Sequence, residues 1–198
     1  MFTGIITQKA NVISLSDYKI TVATNCLENL TLGESIAVNG VCLTVTSYEK
    51  HSQDHYLEFD LLPETINITN LADLLIGDKV NIERAMTANS LLGGHILSGH
   101  VDTTVKVLEN SQINDAWVLS LEVPEKYHPL LIPKGSVALN GVSLTIQTLE
   151  NSILSVQLIP ETIKATNLTQ YNIGSRMNVE FDAITKTIWH QLKFIKPT

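Results

Sequence analysis

The chain has 198 residues, 44% of them hydrophobic and 17% charged, with a formal net charge of −7. That length fits one large or two small domains, and the apolar fraction excludes a largely disordered chain. The 13 basic residues lie scattered among 20 acidic ones, which excludes the clustered positive charge a nucleic-acid partner would require.

Ile, Val and Thr number 20, 15 and 20. Side chains branched at Cβ suit a pleated, half-buried surface, so a mostly β fold is expected. The opening MFTGIITQKANVI has no cationic stretch leading into an apolar core. No signal peptide is therefore expected, and the cytoplasm is the expected compartment. Residues 36–38 and 41–48 read as strands flanking Asn39-Gly40, a tight-turn dipeptide. Tyr56–Leu61 and Lys79–Arg84 alternate apolar and polar residues, and Pro63 and Gly77-Asp78 mark a strand end and a turn. Between them, 65–75 is open to a short helix or a loop. The stretch 85–101 lacks formal charge, but Asn89, Gly93, Gly94, His95 and His100 make it too polar to span a bilayer, so no membrane partner is expected. Three prolines between Val123 and Lys134 predict a connection with one helical turn. From Asp182 onward, Ile184, Ile188, Leu192 and Ile195 recur at helical spacing, with Asp182 placed to cap the helix by accepting from the Thr185 amide.

The chain repeats itself. SIAVNGVCLTV (35–45) matches SVALNGVSLTI (136–146) at seven of eleven positions, 101 residues on. LPETINITNL (62–71) matches IPETIKATNL (159–168) at seven of ten, 97 residues on, and IGDKVNIE (76–83) faces IGSRMNVE (173–180). A weaker echo pairs residues 3–6 with 98–101. Collinear matches of this kind predict two homologous small barrels of short strands. The expected division is 1–94, 95–182, and a C-terminal helix and tail over 183–198.

Cys26 and Cys42 cannot build a disulfide framework or a cysteine-only zinc site. Cys42 and Ser143 occupy equivalent positions. Each fits a small strand residue, and each fits a polar group of one site with its altered twin in another. GGHILSGH (93–100) reads either as a linker or as a source of acid–base chemistry from His95 and His100. The spacing of those two histidines supplies no third metal ligand, so no metal is expected. No GxxxxGK[ST], GxGxxG or GxSxG is present, which removes nucleotide-phosphate and hydrolase-elbow readings. Glu64-Thr65 and Glu161-Thr162 fit helix starts, with ligand hydrogen bonding as the alternative.

Taken together, MFTGII, GESIAVNGVCLTV, FDLLPETINITNL, GDKVNIERA, GGHILSGHVD, KGSVALNGVSLTI, LIPETIKATNL and VEFDAITK follow one another as in the riboflavin synthase alpha-chain family, and the resemblance covers essentially the whole chain. It departs at Thr187, where an aromatic is frequent. The resemblance implies an all-β fold: two six-stranded Greek-key β-barrels in tandem plus a short C-terminal α-helix. It implies a homotrimer formed largely through those helices, and it raises lumazine synthase as a partner. The implied reaction is a dismutation of two molecules of 6,7-dimethyl-8-ribityllumazine, giving riboflavin and 5-amino-6-ribitylaminouracil with no cofactor. The implied site lies between the N-terminal barrel of one chain and the C-terminal barrel of another.

Carried over residue by residue, the resemblance places Cys42, His95, His100, Ser143 and Asp182 among the catalytic residues. It assigns one lumazine to Gly4, Ile5, Ile6, Cys42, Leu43, Thr44, Asp60, Leu61, Leu62, Pro63, Glu64 and Thr65. The other is assigned to Gly99, His100, Val101, Ser143, Leu144, Thr145, Gln157, Leu158, Ile159, Pro160, Glu161 and Thr162, and Ser35 and Lys134 also fall on site positions. Removal of a proton from the substrate's 7-methyl group is expected through His100 or a water it orients, with Cys42 or a water adding to the partner ring. Ser143 and Thr145 are expected to orient the ring, and Asp182 or His100 to move protons later. The alternatives are a lumazine- or flavin-binding antenna without turnover and a duplicated barrel without ligand.

Overall fold

A computed structural model describes residues 1–25, 29–51, 54–114 and 116–195; Cys26 lies outside them. Six strands of the first half close into a barrel: β1 (Gln8–Ser16), β2 (Lys19–Thr24), β3 (Ser35–Val38), β4 (Val41–His51), β5 (Asp54–Asp60) and β6 (Lys79–Arg84). The second barrel has β7 (Thr103–Ile113), β8 (Ala116–Glu122), β9 (Ser136–Leu139), β10 (Val142–Glu150), β11 (Ile153–Leu158) and β12 (Arg176–Phe181). The first closes in the order β1-β2-β5-β4-β3-β6, and each strand of the second has the equivalent neighbours. All pairs are antiparallel, and the last strand returns by a long connection to lie beside the first, as in a Greek key.

The four strands expected in the first half are present, with Asn39-Gly40 (φ 46° and 78°) turning β3 into β4. The sequence pattern does not reach the β1–β2 hairpin. A bulge between Val12 and Ser14 breaks its alternation, so β1 has the period of a strand only over its first half. The 65–75 segment contains both outcomes: α1 (Pro63–Ile68) starts on a proline and runs into a 3₁₀ turn over Asn70–Asp73. Its repeat is α2 (Pro160–Ala165). A 3₁₀ turn over Glu125–Leu130 fills the proline-rich connection. The tail forms α3 (Ala183–Leu192), capped by Asp182, which accepts from the Ile184 and Thr185 amides at 2.9 and 3.0 Å. Lys186 ties α3 to Asp102 at 2.9 Å, while Ile184, Ile188 and Leu192 remain exposed.

Each barrel has its own core of aliphatic residues, with Phe59 fully buried in the first and Phe181 in the second. Two residues cross over. Ile6, just before β1, belongs to the core of the second barrel, and Val101, just before β7, to the core of the first. The segments carrying them pair with each other through a Phe2–Leu97 bridge. The turns Asn39-Gly40 and Asn140-Gly141 meet back to back, so closely that a Cβ on Gly40 would lie 2.6 Å from the Gly141 nitrogen.

Around this internal two-fold, six buried asparagines stitch the barrels together. Asn81 Nδ2 donates to the Asn140 carbonyl at 3.0 Å and Asn178 Nδ2 to the Asn39 carbonyl at 2.9 Å. The Asn167 amide reaches Asn81 Oδ1 at 2.8 Å, and the Asn70 amide reaches Asn178 Oδ1 at 2.7 Å. Buried amides are costly unless paired, so this lattice fixes one relative orientation of the barrels. Its one asymmetry is Tyr171, repeated as Leu74. The Tyr171 hydroxyl accepts from Asn39 and Asn70, both at 3.2 Å, and burial pushes it up to about 12.

Candidate active site: two half-sites built on crossed segments

Along β4 the residues alternate: Leu43 and Val45 point into the barrel, Cys42 and Thr44 outward. Ser35 sits opposite Thr44 on β3. On the other flank, Asp60 ends β5, and the chain continues through buried Leu61 and exposed Leu62 into Pro63, Glu64 and Thr65 at the start of α1. The open side of Cys42 is covered by Gly99, whose carbonyl accepts the Cys42 amide at 2.8 Å. A Cβ on Gly99 would lie 2.5 Å from that of Cys42, and its φ is +80°, so glycine is required twice over. His100 follows, exposed.

The second half-site repeats this construction. On β10, Leu144 points inward and Ser143 and Thr145 outward. Gln157 and Leu158 end β11, and exposed Ile159 leads into Pro160, Glu161 and Thr162 of α2. Ser143 is covered by Gly4, whose carbonyl accepts its amide at 2.8 Å. Ile5, 48% exposed, occupies the place of His100. Lys134, at φ +66°, reaches Gln147 Oε1 with its Nζ at 2.6 Å.

Within this chain these segments pack differently from the grouping that the resemblance implies. Gly4–Ile6 lies with Ser143, and Gly99–Val101 lies with Cys42, because each segment crosses the two-fold before its own barrel begins. Ile6, Leu43, Leu61, Val101, Leu144 and Leu158 are buried, so their backbones rather than their side chains are available to a ligand. In the 93–100 stretch, His95 and Leu97 are buried, whereas Ile96 is 44% exposed.

The half-sites differ chemically. His95 Nδ1 lies 2.7 Å from Ser143 Oγ, and its buried Nε2 has no hydrogen-bond partner among the described residues. Burial pushes the His95 imidazole down, against the opposing pull of Asp182 and Glu180. Burial thus favours the neutral ring, in which one nitrogen donates and the other accepts. Cys42 instead packs against the small apolar cluster of Phe2, Ala37, Leu97 and Ala138 on the two-fold. Asp182 is both helix cap and a negative charge acting on His95.

Two residues that sequence reasoning passed over stand behind these segments. Glu83 and Glu180, both 4% exposed, close the matched IGDKVNIE and IGSRMNVE stretches. The repeat was the available signal, since a carboxylate kept at a buried strand position in both copies needs a partner. Among the described residues, no group of three His, Cys, Asp or Glu is placed to hold a metal ion. A cleft of about 510 Å³ between the barrels, lined by Asp73, Lys79, Tyr171 and Arg176 among others, contains none of the expected site residues.

The family model described as Lumazine binding domain matches residues 3–85 and again 98–182. Riboflavin synthase of Bacillus subtilis (strain 168) is 40% identical over 197 residues, covering 97% of this chain and 90% of that protein. Riboflavin synthase of Escherichia coli (strain K12) is 34% identical, covering 95% and 90%. Among solved structures, LumP complexed with riboflavin superposes with a TM-score of 0.77 at 26% identity, covering 91% of this chain and 99% of that one. Two copies of one domain, together with synthases matched over 95–97% of this chain and 90% of their own length, establish that this chain belongs to the riboflavin synthase family.

Proposed function

We propose that the protein makes riboflavin by dismutation of two 6,7-dimethyl-8-ribityllumazine molecules, one on each kind of half-site, with a four-carbon unit passing between them. The observation that carries this reading is the duplication itself. A reaction between two identical molecules needs two similar surfaces, and a reaction in which one gives and the other takes needs them unequal. The Cys42–His100 and Ser143–His95 faces meet both requirements. Relatives named riboflavin synthase and a structural neighbour complexed with riboflavin support the ligand class.

The residues divide the work as follows. Outward Thr44 and Thr145, with the backbone of 60–65 and 157–162, hold a planar ring by hydrogen bonds. The Ser143 hydroxyl, oriented by neutral His95, donates to or accepts from one ring. Exposed His100 takes the proton of the 7-methyl group, directly or through water, and Cys42 or a water adds to the partner ring. Holding two rings in reacting geometry is worth up to about 7–11 kcal/mol.

A complete site joins the 1–94 barrel of one chain to the 95–182 barrel of another in a cytoplasmic homotrimer, with 183–198 assisting assembly. The exposure of Leu62 (70%), Ile159 (64%) and the α3 stripe supports a covering partner surface. Mixing the protein with 6,7-dimethyl-8-ribityllumazine and following absorbance tests the reading. Half a mole of riboflavin per mole of lumazine consumed is expected. Tight binding without riboflavin would move the protein to the antenna class, which the synthase relatives along its full length do not favour.

A further inference from the structure

Glu83 and Glu180 have no part in that chemistry, yet they make the same contacts in both barrels. Glu83 Oε1 accepts the Thr3 amide at 2.6 Å and the Thr3 hydroxyl at 2.7 Å, and Oε2 accepts the Gly4 amide at 3.0 Å. Glu180 Oε1 accepts the Ser98 amide at 2.7 Å and the Ser98 hydroxyl at 2.6 Å, and Oε2 accepts the Gly99 amide at 3.0 Å. Two successive amides turned toward one carboxylate, around a glycine of positive φ, form an anion-binding nest. A buried carboxylate is costly even when satisfied, and burial pushes the Glu83 carboxyl up against the pull of the Thr3 and Gly4 bonds.

The chain does not stop at these bonds. The Thr3 hydroxyl oxygen accepts the Ile5 amide at 3.2 Å, and the Ser98 hydroxyl oxygen accepts the His100 amide at 3.1 Å. One carboxylate therefore fixes both the glycine that covers the strand and the residue that reaches the ligand face. The wall that carries it belongs to the other barrel. Glu83 is on β6 but holds the segment over Ser143; Glu180 is on β12 but holds the segment over Cys42.

We propose that Glu83 and Glu180 are positioning residues, each fixing from one barrel the segment that completes the half-site on the other. This rests on the synthase reading above and adds that the half-sites are cross-wired, so damage in one barrel appears at the other's ligand face.

The test uses the full chain and the variants Glu83→Gln and Glu180→Gln. Glutamine keeps the size and one oxygen but turns an NH₂ toward an amide that needs an acceptor. With ¹⁵N-labelled serine and cysteine, Glu83→Gln is expected to speed exchange of the Ser143 amide by about 10- to 100-fold and leave Cys42 unchanged. Glu180→Gln is expected to do the reverse. In turnover, Glu180→Gln, which frees His100, lowers kcat about tenfold, and Glu83→Gln, which frees Ile5, acts mainly on KM. If either variant fails to fold, Thr3→Val and Ser98→Ala remove only the hydroxyl link and are expected to give the same crossed pattern, more weakly. Loosening confined to the variant's own barrel, equal loosening of both amides, or no change overturns the proposal. Absence of turnover in the wild type overturns the synthase reading instead, while the exchange result still decides the wiring.

Discussion

The two proposed ligand faces of this chain share a scaffold and differ in where they put a histidine. On the Cys42 face the histidine, His100, is exposed, and the thiol is packed on apolar side chains. On the Ser143 face the exposed position holds Ile5, and the histidine, His95, is buried beside the hydroxyl at 2.7 Å. What the duplication keeps is what builds the faces: the Asn-Gly turns, the asparagine lattice, the covering glycines and the paired glutamates. What it changes is Cys42 against Ser143 and Ile5 against His100. Duplication here supplies equal geometry, and unequal chemistry is then written onto a few outward positions.

The largest way to break the comparison is through the covering glycines. Gly4→Ala and Gly99→Ala each place a Cβ within 3 Å of the opposing strand at a positive φ. Each is expected to cost about 3 kcal/mol or more in urea unfolding and to abolish turnover. Next comes the unequal pair itself. Ser143→Ala strips His95 of its partner and is expected to lower kcat/KM by roughly 10- to 100-fold, whereas Cys42→Ala, where a water takes the place of the thiol in the addition, costs less. Equal losses would mean that the His95–Ser143 contact adds nothing.

Smaller effects probe the two-fold and the buried ring. Tyr171→Phe removes the acceptor of the Asn39 side-chain amide, while Asn70 Nδ2 keeps Asn140 Oδ1 and the Arg176 carbonyl, and is expected to destabilise by about 1–3 kcal/mol in thermal unfolding. His95 has a lowered pKa in the folded state, so acid favours the unfolded chain, which protonates first. The stability it contributes is present above its ordinary value of 6.5 and is lost as pH falls from there through the lowered value. His95→Gln is expected to flatten that part of the stability–pH curve.

Much of this was legible in the residues. The repeat announced two barrels, and the identical NG, PET and TNL positions turned out to be the axis turn, the short helices and the asparagines of the lattice. Asp182 capped its helix as its place before Ala183-Ile184-Thr185 suggested. The crossing was not legible, because repeat offsets say which residues are equivalent and not which barrel an equivalent residue packs against. Thr3-Gly4 and Ser98-Gly99 look local in the chain, yet their partners are 79 to 82 residues away. The β1–β2 hairpin was hidden for a different reason: its bulge shifts alternation halfway along.

The central claim is that a working site joins unlike half-sites from two chains. It is tested most directly by co-assembling His100→Ala chains with Ser143→Ala chains and measuring riboflavin formation. In the mixture, some interfaces bring the intact Cys42–His100 face of one chain against the intact Ser143–His95 face of another. Activity well above the average of the two separate variants is the predicted result, and activity equal to that average would contradict the account.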